Sequence, residues 1–119
     1  MELKAIVRET KHLTRGAFGI DFGWGNGYVF LPKGHPLYRK HYDVINKEVN
    51  VHGGLTFSEY MSHEWLRTMG FEKEYHGMWC VGFDTAHYGD SLNRWPKEKV
   101  EEETENLRLQ LINYIKKIT

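Results

Sequence analysis

PKEKVEEETENLRLQLINYIKKIT, residues 96–119, is the stretch that decides the fold. It has no glycine, whereas all 12 glycines of the chain fall between Gly16 and Gly89. Glycine weakens a helix interior and serves where the backbone must turn or come close to another group. The division predicts one domain over residues 1–119: a body of strands and loops over 1–92 and a helix over 93–119. Pro96 suits a first helical turn, and glutamates at 98, 101, 102, 103 and 105 with lysines at 116 and 117 complement the helix dipole at its two ends. Val100, Thr104, Leu107, Leu111, Tyr114 and Ile118 recur at spacings of four and three, which places them on one stripe that Ile112 and Ile115 widen. The stripe is expected to cover a sheet. It also fits a helix-to-helix seam between two copies of the chain, which would make a homo-oligomer.

Working back from the helix, residues 77–84 (GMWCVGFD) are almost continuously apolar and read as a central strand. Residues 3–8 (LKAIVR), 16–22 (GAFGIDF), 27–31 (GYVFL) and 49–57 (VNVHGGLTF) also read as strands, the last interrupted by Gly53-Gly54. Asn26-Gly27 has the composition of a hairpin turn, and residues 32–36 (PKGHP) read as a loop. Residues 58–69 read as a helix turning Tyr60, Met61, Trp65 and Leu66 inward. The fold class that follows is α+β, a small, mostly antiparallel sheet with glycine-rich loops and a long C-terminal helix packed on it.

Composition limits the function. The chain has 119 residues, with 16 Lys plus Arg against 16 Asp plus Glu, so its formal charge is zero. A coat for nucleic acid needs a net basic face, so no nucleic-acid partner is expected. A lone cysteine, Cys80, leaves no internal disulfide and suits a reducing compartment. No apolar run reaches the length of a membrane span, and the first residues lack a signal-peptide core. Together these predict a cytoplasmic protein with no membrane partner. Seven histidines, at 12, 35, 41, 52, 63, 76 and 87, are the compositional oddity.

Two segments concentrate ionisable groups beside glycines and strand-like runs: residues 51–56 (VHGGLT) and 82–90 (GFDTAHYGD). Strand ends that feed glycine loops are common places for sites. The segments HGGLT at 52–56 and WCVGFDTAHYGD at 79–90, followed by the C-terminal helix and preceded by WGNGYVFLPKGHPLY at 24–38, resemble a family of small phage and prophage proteins with HGGLT and GFDxAHxGD motifs. Cys80 stands where that pattern has a second aromatic, and Tyr88 where it has a small residue. The resemblance implies a phage accessory protein in the host cytoplasm and implies no particular reaction.

The residue types support three readings. In the first, the two segments form a pocket for a small ligand of nucleotide type, with no cofactor. Gly53 and Gly54 would let backbone N–H groups approach a phosphate, with His52, Thr56, Asp84, His87, Tyr88 and Asp90 around it. Trp24, Tyr28, Trp79 and Tyr88 offer flat faces for a base, and Lys33, His35, Arg67 or Arg94 would pair with phosphate. Given the phage resemblance, sequestration of a nucleotide signal of host defence is the concrete form of this reading. In the second, His52, Asp84, His87 and Asp90 hold a divalent transition metal for a hydrolase. In the third, the protein blocks a host enzyme by contact through an apolar patch near Trp24 and Trp65. Against all three stands a purely structural role, with the aspartates capping loop amides and the histidines fixing the glycine loops.

Overall fold

In the computed structural model, which describes residues 2–119, four strands and one long helix dominate. The strands are β1 (Lys4–Glu9), β2 (Gly25–Leu31), β3 (Phe57–Tyr60) and β4 (Trp79–Phe83). Three helices accompany them: α1 (Tyr42–Ile45), α2 (His63–Met69) and α3 (Lys97–Ile118). The sheet order is β1-β2-β4-β3, with every neighbouring pair antiparallel. The fold is α+β, with α3 lying across the sheet.

Both faces of the sheet are covered, which is why its two central strands are apolar at nearly every position. On one face Val29, Leu31, Val81 and Phe83 pack with Leu107 and Leu111 of α3 in a buried cluster. On the other, Tyr28, Phe30 and Cys80 meet Met61, Leu66, Phe71 and Tyr75. Phe30 stacks on Tyr75 with ring centroids 3.9 Å apart. The register produces this alternation, because Val29 pairs with Val81 and Ala5 while Tyr28 pairs with Gly82 and Ile6.

Helix α3 bears out the periodic reading as far as Leu111, while Tyr114 is half-buried and Ile118, at the end of the helix, is exposed. Val100, Thr104, Leu107 and Leu111 are its buried residues, and they face the sheet. Pro96 occupies the N-cap, so the helix begins at Lys97, later than position 93, because residues 91–95 form turns that tie the preceding loop down. Helix and sheet approach closely at Gly27. A Cβ there would collide with Thr104 Oγ1 and the Phe83 ring, so a side chain at 27 would lift α3 from β2.

Several local expectations are corrected. Asn26-Gly27 is inside β2 and not at a turn; the connection from β1 is the longer segment 10–24. Within that segment residues 16–22 form no strand. Gly16, Phe18 and Gly19 all have positive φ, and among the described residues no strand pairs with them. Residues 49–56 are irregular, because Gly53 and Gly54 both adopt φ near +70° (68° and 76°), and strand pairing starts only at Phe57. Tyr60 ends β3, and α2 begins at His63 behind a Ser62 N-cap whose hydroxyl accepts from the Trp65 N–H. Met61 and Leu66 are buried as expected.

His35 is also reassigned. Its Nδ1 accepts from the Leu37 N–H at 3.0 Å, which leaves Nε2–H to donate to the Leu111 carbonyl at 3.0 Å. The imidazole therefore clamps the 32–38 loop to α3 in its neutral form and is not free to pair with phosphate. Burial pushes its pKa below the ordinary 6.5. In the unfolded chain His35 binds a proton more readily, so its contribution is present above pH 6.5 and is lost as pH falls below that and through the lower folded value. The expected result is a fall in denaturant stability between neutral pH and pH about 5 that is reduced in His35→Gln; equal slopes for the two proteins would contradict it.

Candidate functional site

The two segments singled out in the sequence meet at one end of the sheet. Gly27 of β2 pairs with Phe83 of β4, so the segment leaving β4 runs beside the entry to β2. Three hydrogen bonds fasten it there. Gly23 N–H donates to Thr85 O at 2.6 Å, Thr85 Oγ1 to Gly25 O at 2.7 Å, and Trp24 N–H to Trp95 O at 2.8 Å. From the other side, Thr56 N–H donates to Gly82 O at 2.9 Å, bringing the 51–56 loop against the same end of β4.

Asp90 is the knot between the loops. It is 6% exposed. Its carboxylate lies 2.9 and 3.0 Å from His52 Nε2 and accepts from the His87 N–H at 2.9 Å, while its own N–H donates to the His87 carbonyl at 2.9 Å. Asp84 organises the outer part: Thr56 Oγ1 donates to its Oδ2 at 2.7 Å and Ala86 N–H to its Oδ1 at 3.0 Å. His87 Nε2 sits 3.2 Å from Asp84 Oδ1 but off the line of a hydrogen bond, and it is buried with no other partner among the described residues. The rings of His52 and His87 meet edge to face, 5.5 Å between centroids.

The glycines serve this packing. At Gly53 a Cβ would run into the His87 ring, whereas at Gly54 the nearest atom to a Cβ would be Asn46 Oδ1 at 3.5 Å, an ordinary contact. Most loop amides are engaged internally: His52 N–H with Glu103 Oε2 at 2.8 Å, Gly54 N–H with Val51 O at 2.8 Å, Leu55 N–H with Asn46 Oδ1 at 2.7 Å, and Thr56 N–H with Gly82 O. The physical reason for these glycines is therefore left-handed backbone and close approach of an imidazole, not a row of free phosphate-binding amides.

The metal arrangement expected for His52, Asp84, His87 and Asp90 is not formed. The four are matched one to one, His52 with Asp90 and His87 with Asp84, and among the described residues no group of three or more His, Cys, Asp or Glu is placed to hold a metal ion.

Two grooves flank the 86–94 loop. One, of about 650 Å³, is lined by His52, Asp90, Arg94, Trp95 and Lys99 among others; the second, of about 580 Å³, by Ile20, Asp21, His87, Tyr88 and Arg94 among others. Trp95 forms a wall, with the His52 ring 4.1 Å from it and Lys99 Nζ 4.7 Å from its centroid. Tyr88 lines both grooves and is fully exposed.

The other expected contributors are elsewhere. Tyr28 is buried on the α2 side of the sheet against Phe57 and Phe71, and burial raises its phenol pKa. Trp24 is half-buried beneath Lys97 and lines neither groove. Trp79 donates its indole N–H to Lys40 O at 2.8 Å, at the opposite end of β4. Lys33 follows β2 at that same far end, and Arg67 is in the last turn of α2. Of the proposed phosphate partners only Arg94 is at the site. Trp95, Lys99 and Glu103 were not anticipated; a tryptophan immediately before the helix-starting Pro96 was the one signal available. Trp24 and Trp65, near which an apolar patch is expected, are both half-buried, whereas Phe18 and Tyr88 are fully exposed. Among the described residues no helix is long and apolar enough to cross a membrane. No protein-family model, no curated protein and no solved structure matches this chain.

Proposed function

We propose that the chain binds a small anionic ligand with a planar ring, of nucleotide type, in the groove of His52, Arg94, Trp95 and Lys99. The observation that carries this reading is the charge of the groove. Its two cations, Arg94 and Lys99, face one lining acid, Asp90, which is already engaged by His52 and the His87 amide. A protein of zero net charge thus presents a locally basic cleft whose volume, about 650 Å³, suits a nucleotide-sized molecule. The guanidinium of Arg94 offers a planar fork for phosphate and Lys99 a point charge. The ring of Tyr88, free of protein contacts on its exposed side, offers a face for a base. The resemblance to phage proteins makes signalling nucleotides of host defence the first ligands to test.

The test is a thermal-shift screen of the purified protein with cyclic mono- and dinucleotides and ADP-ribose-type compounds. A ligand at 100 times its dissociation constant is expected to add about 2.7 kcal/mol of stability. Arg94→Ala should remove most of that shift, because Arg94 borders both grooves. A screen in which no nucleotide raises the melting temperature overturns the reading.

A further inference from the structure

We infer that the ligand is a dinucleotide, two nucleosides joined through phosphate, which spans both grooves beside the 86–94 loop and sets one base in each; the inference rests on the nucleotide reading above. Two observations carry it. First, the grooves share a border: Tyr88, Gly89, Asp90 and Arg94 line both. That border carries no side chain at Gly89, whose φ is 87°. Arg94 lies over the gap, since a Cβ on Gly89 would be 3.7 Å from Arg94 Nη1. A guanidinium on a low ridge between spaces of about 650 and 580 Å³ is placed for the charged bridge of a two-part ligand and not for one of its ends.

Second, the two grooves differ in chemistry. The first adds Lys99 to the shared Arg94 and has one acid, Asp90, so it carries the surplus positive charge. In the second, Arg94 is the only Lys or Arg and faces both Asp21 and Asp90, which leaves no surplus for a phosphate of its own. What the second groove offers is apolar surface, because Ile20 is 67% exposed there and Tyr88 is fully exposed. Large apolar side chains gathered at one concave surface mark a place where an apolar group binds. Asp21, held by Arg15 at 3.1 Å and by the Phe22 N–H at 2.8 Å, adds an acceptor for the exocyclic amino group of a base. An uncharged flat ring with amino donors therefore fits the second groove, and a phosphate fits the first. Tyr88, exposed and lining both, gives each base an aromatic face. The bridging phosphate then lies at Arg94, with Lys99 on the first groove's side.

The probes are the 3′,5′-linked cyclic dinucleotides of adenine and of guanine, each set against its mononucleotide, AMP or GMP. Their affinities for the whole protein are measured by titration calorimetry. The expected result is that at least one dinucleotide binds about 10-fold or more tightly than its own mononucleotide, since only the dinucleotide reaches the second groove with a second base. Ile20→Ala removes an exposed wall of the second groove and touches nothing that lines the first. It should reduce that preference at least about fivefold, with an unchanged circular dichroism melt. If a mononucleotide binds and each binds as tightly as its dinucleotide, or if Ile20→Ala leaves the preference intact, the inference is overturned and the reading of a nucleotide in the first groove stands. If none of the four binds, the inference fails together with that reading.

Discussion

Asp90→Ala is expected to lower the stability of the protein by about 3 kcal/mol, roughly 10 °C in melting temperature for a chain of this size, and to abolish ligand binding in the same step. Both effects come from one carboxylate. Removing it leaves two part-buried donors, His52 Nε2 and the His87 N–H, without the acceptor they share. A buried donor deprived of its acceptor costs on the order of 1–3 kcal/mol, and here two are deprived together. The 51–56 and 84–90 loops would lose their central link, so the His52 ring would no longer be held against Trp95. Circular dichroism melts of the two proteins, with a nucleotide thermal shift in parallel, measure both quantities. Asp84→Ala serves as contrast. Its acceptor contacts, to Thr56 and Ala86, are nearer solvent, and its loss should cost less. A wild-type melting temperature in Asp90→Ala would show that the knot contributes nothing.

Leu107→Ala is expected to cost roughly 2–5 kcal/mol, the range for deleting three carbons of a leucine from a packed core. Leu107 is 0% exposed at the middle of α3, in the cluster with Val29, Leu31, Val81 and Phe83. The close approach at Gly27 limits how far α3 can settle into the space created, because Thr104 already touches that position. Leu109→Ala, one residue pair along the same helix and 46% exposed, should change stability by no more than about 0.5 kcal/mol. Urea titrations of the three proteins test the pair. Equal losses in both variants would mean that α3 is not seated on the sheet through the Val100–Thr104–Leu107–Leu111 stripe.

The contrast between those two leucines was legible in the sequence. Spacings of four and three mark Leu107 as inward, and the glycine-free tail with glutamates first and lysines last places the start of α3 to within four residues. Strand β4 was equally readable, since an unbroken apolar run can only be a strand covered on both faces or a buried helix, and its glycines favoured the strand. Where sequence reasoning failed, the local pattern was overridden from a distance. Asn26-Gly27 has the chemistry of a turn, yet it lies within β2 because pairing on both sides, to β1 and β4, outweighs a local preference of about a kilocalorie or less. Residues 49–56 look extended but are bent by two left-handed glycines, and Gly53 makes room for the His87 imidazole.

By itself the sequence determined the class of fold, the identity of the inward face of α3 and the two segments that carry His52, Asp84, His87 and Asp90, because hydrophobic period and glycine placement are local properties of the chain. Only the tertiary structure decided which residues those segments face. Antiparallel pairing of β2 with β4 set the two loops side by side, matched each histidine to one aspartate, sent Tyr28 to the far face and brought in Trp95, Lys99 and Glu103. Those relations depend on register and on the path of loops between distant elements, and neither is written in the spacing of residues along a single segment.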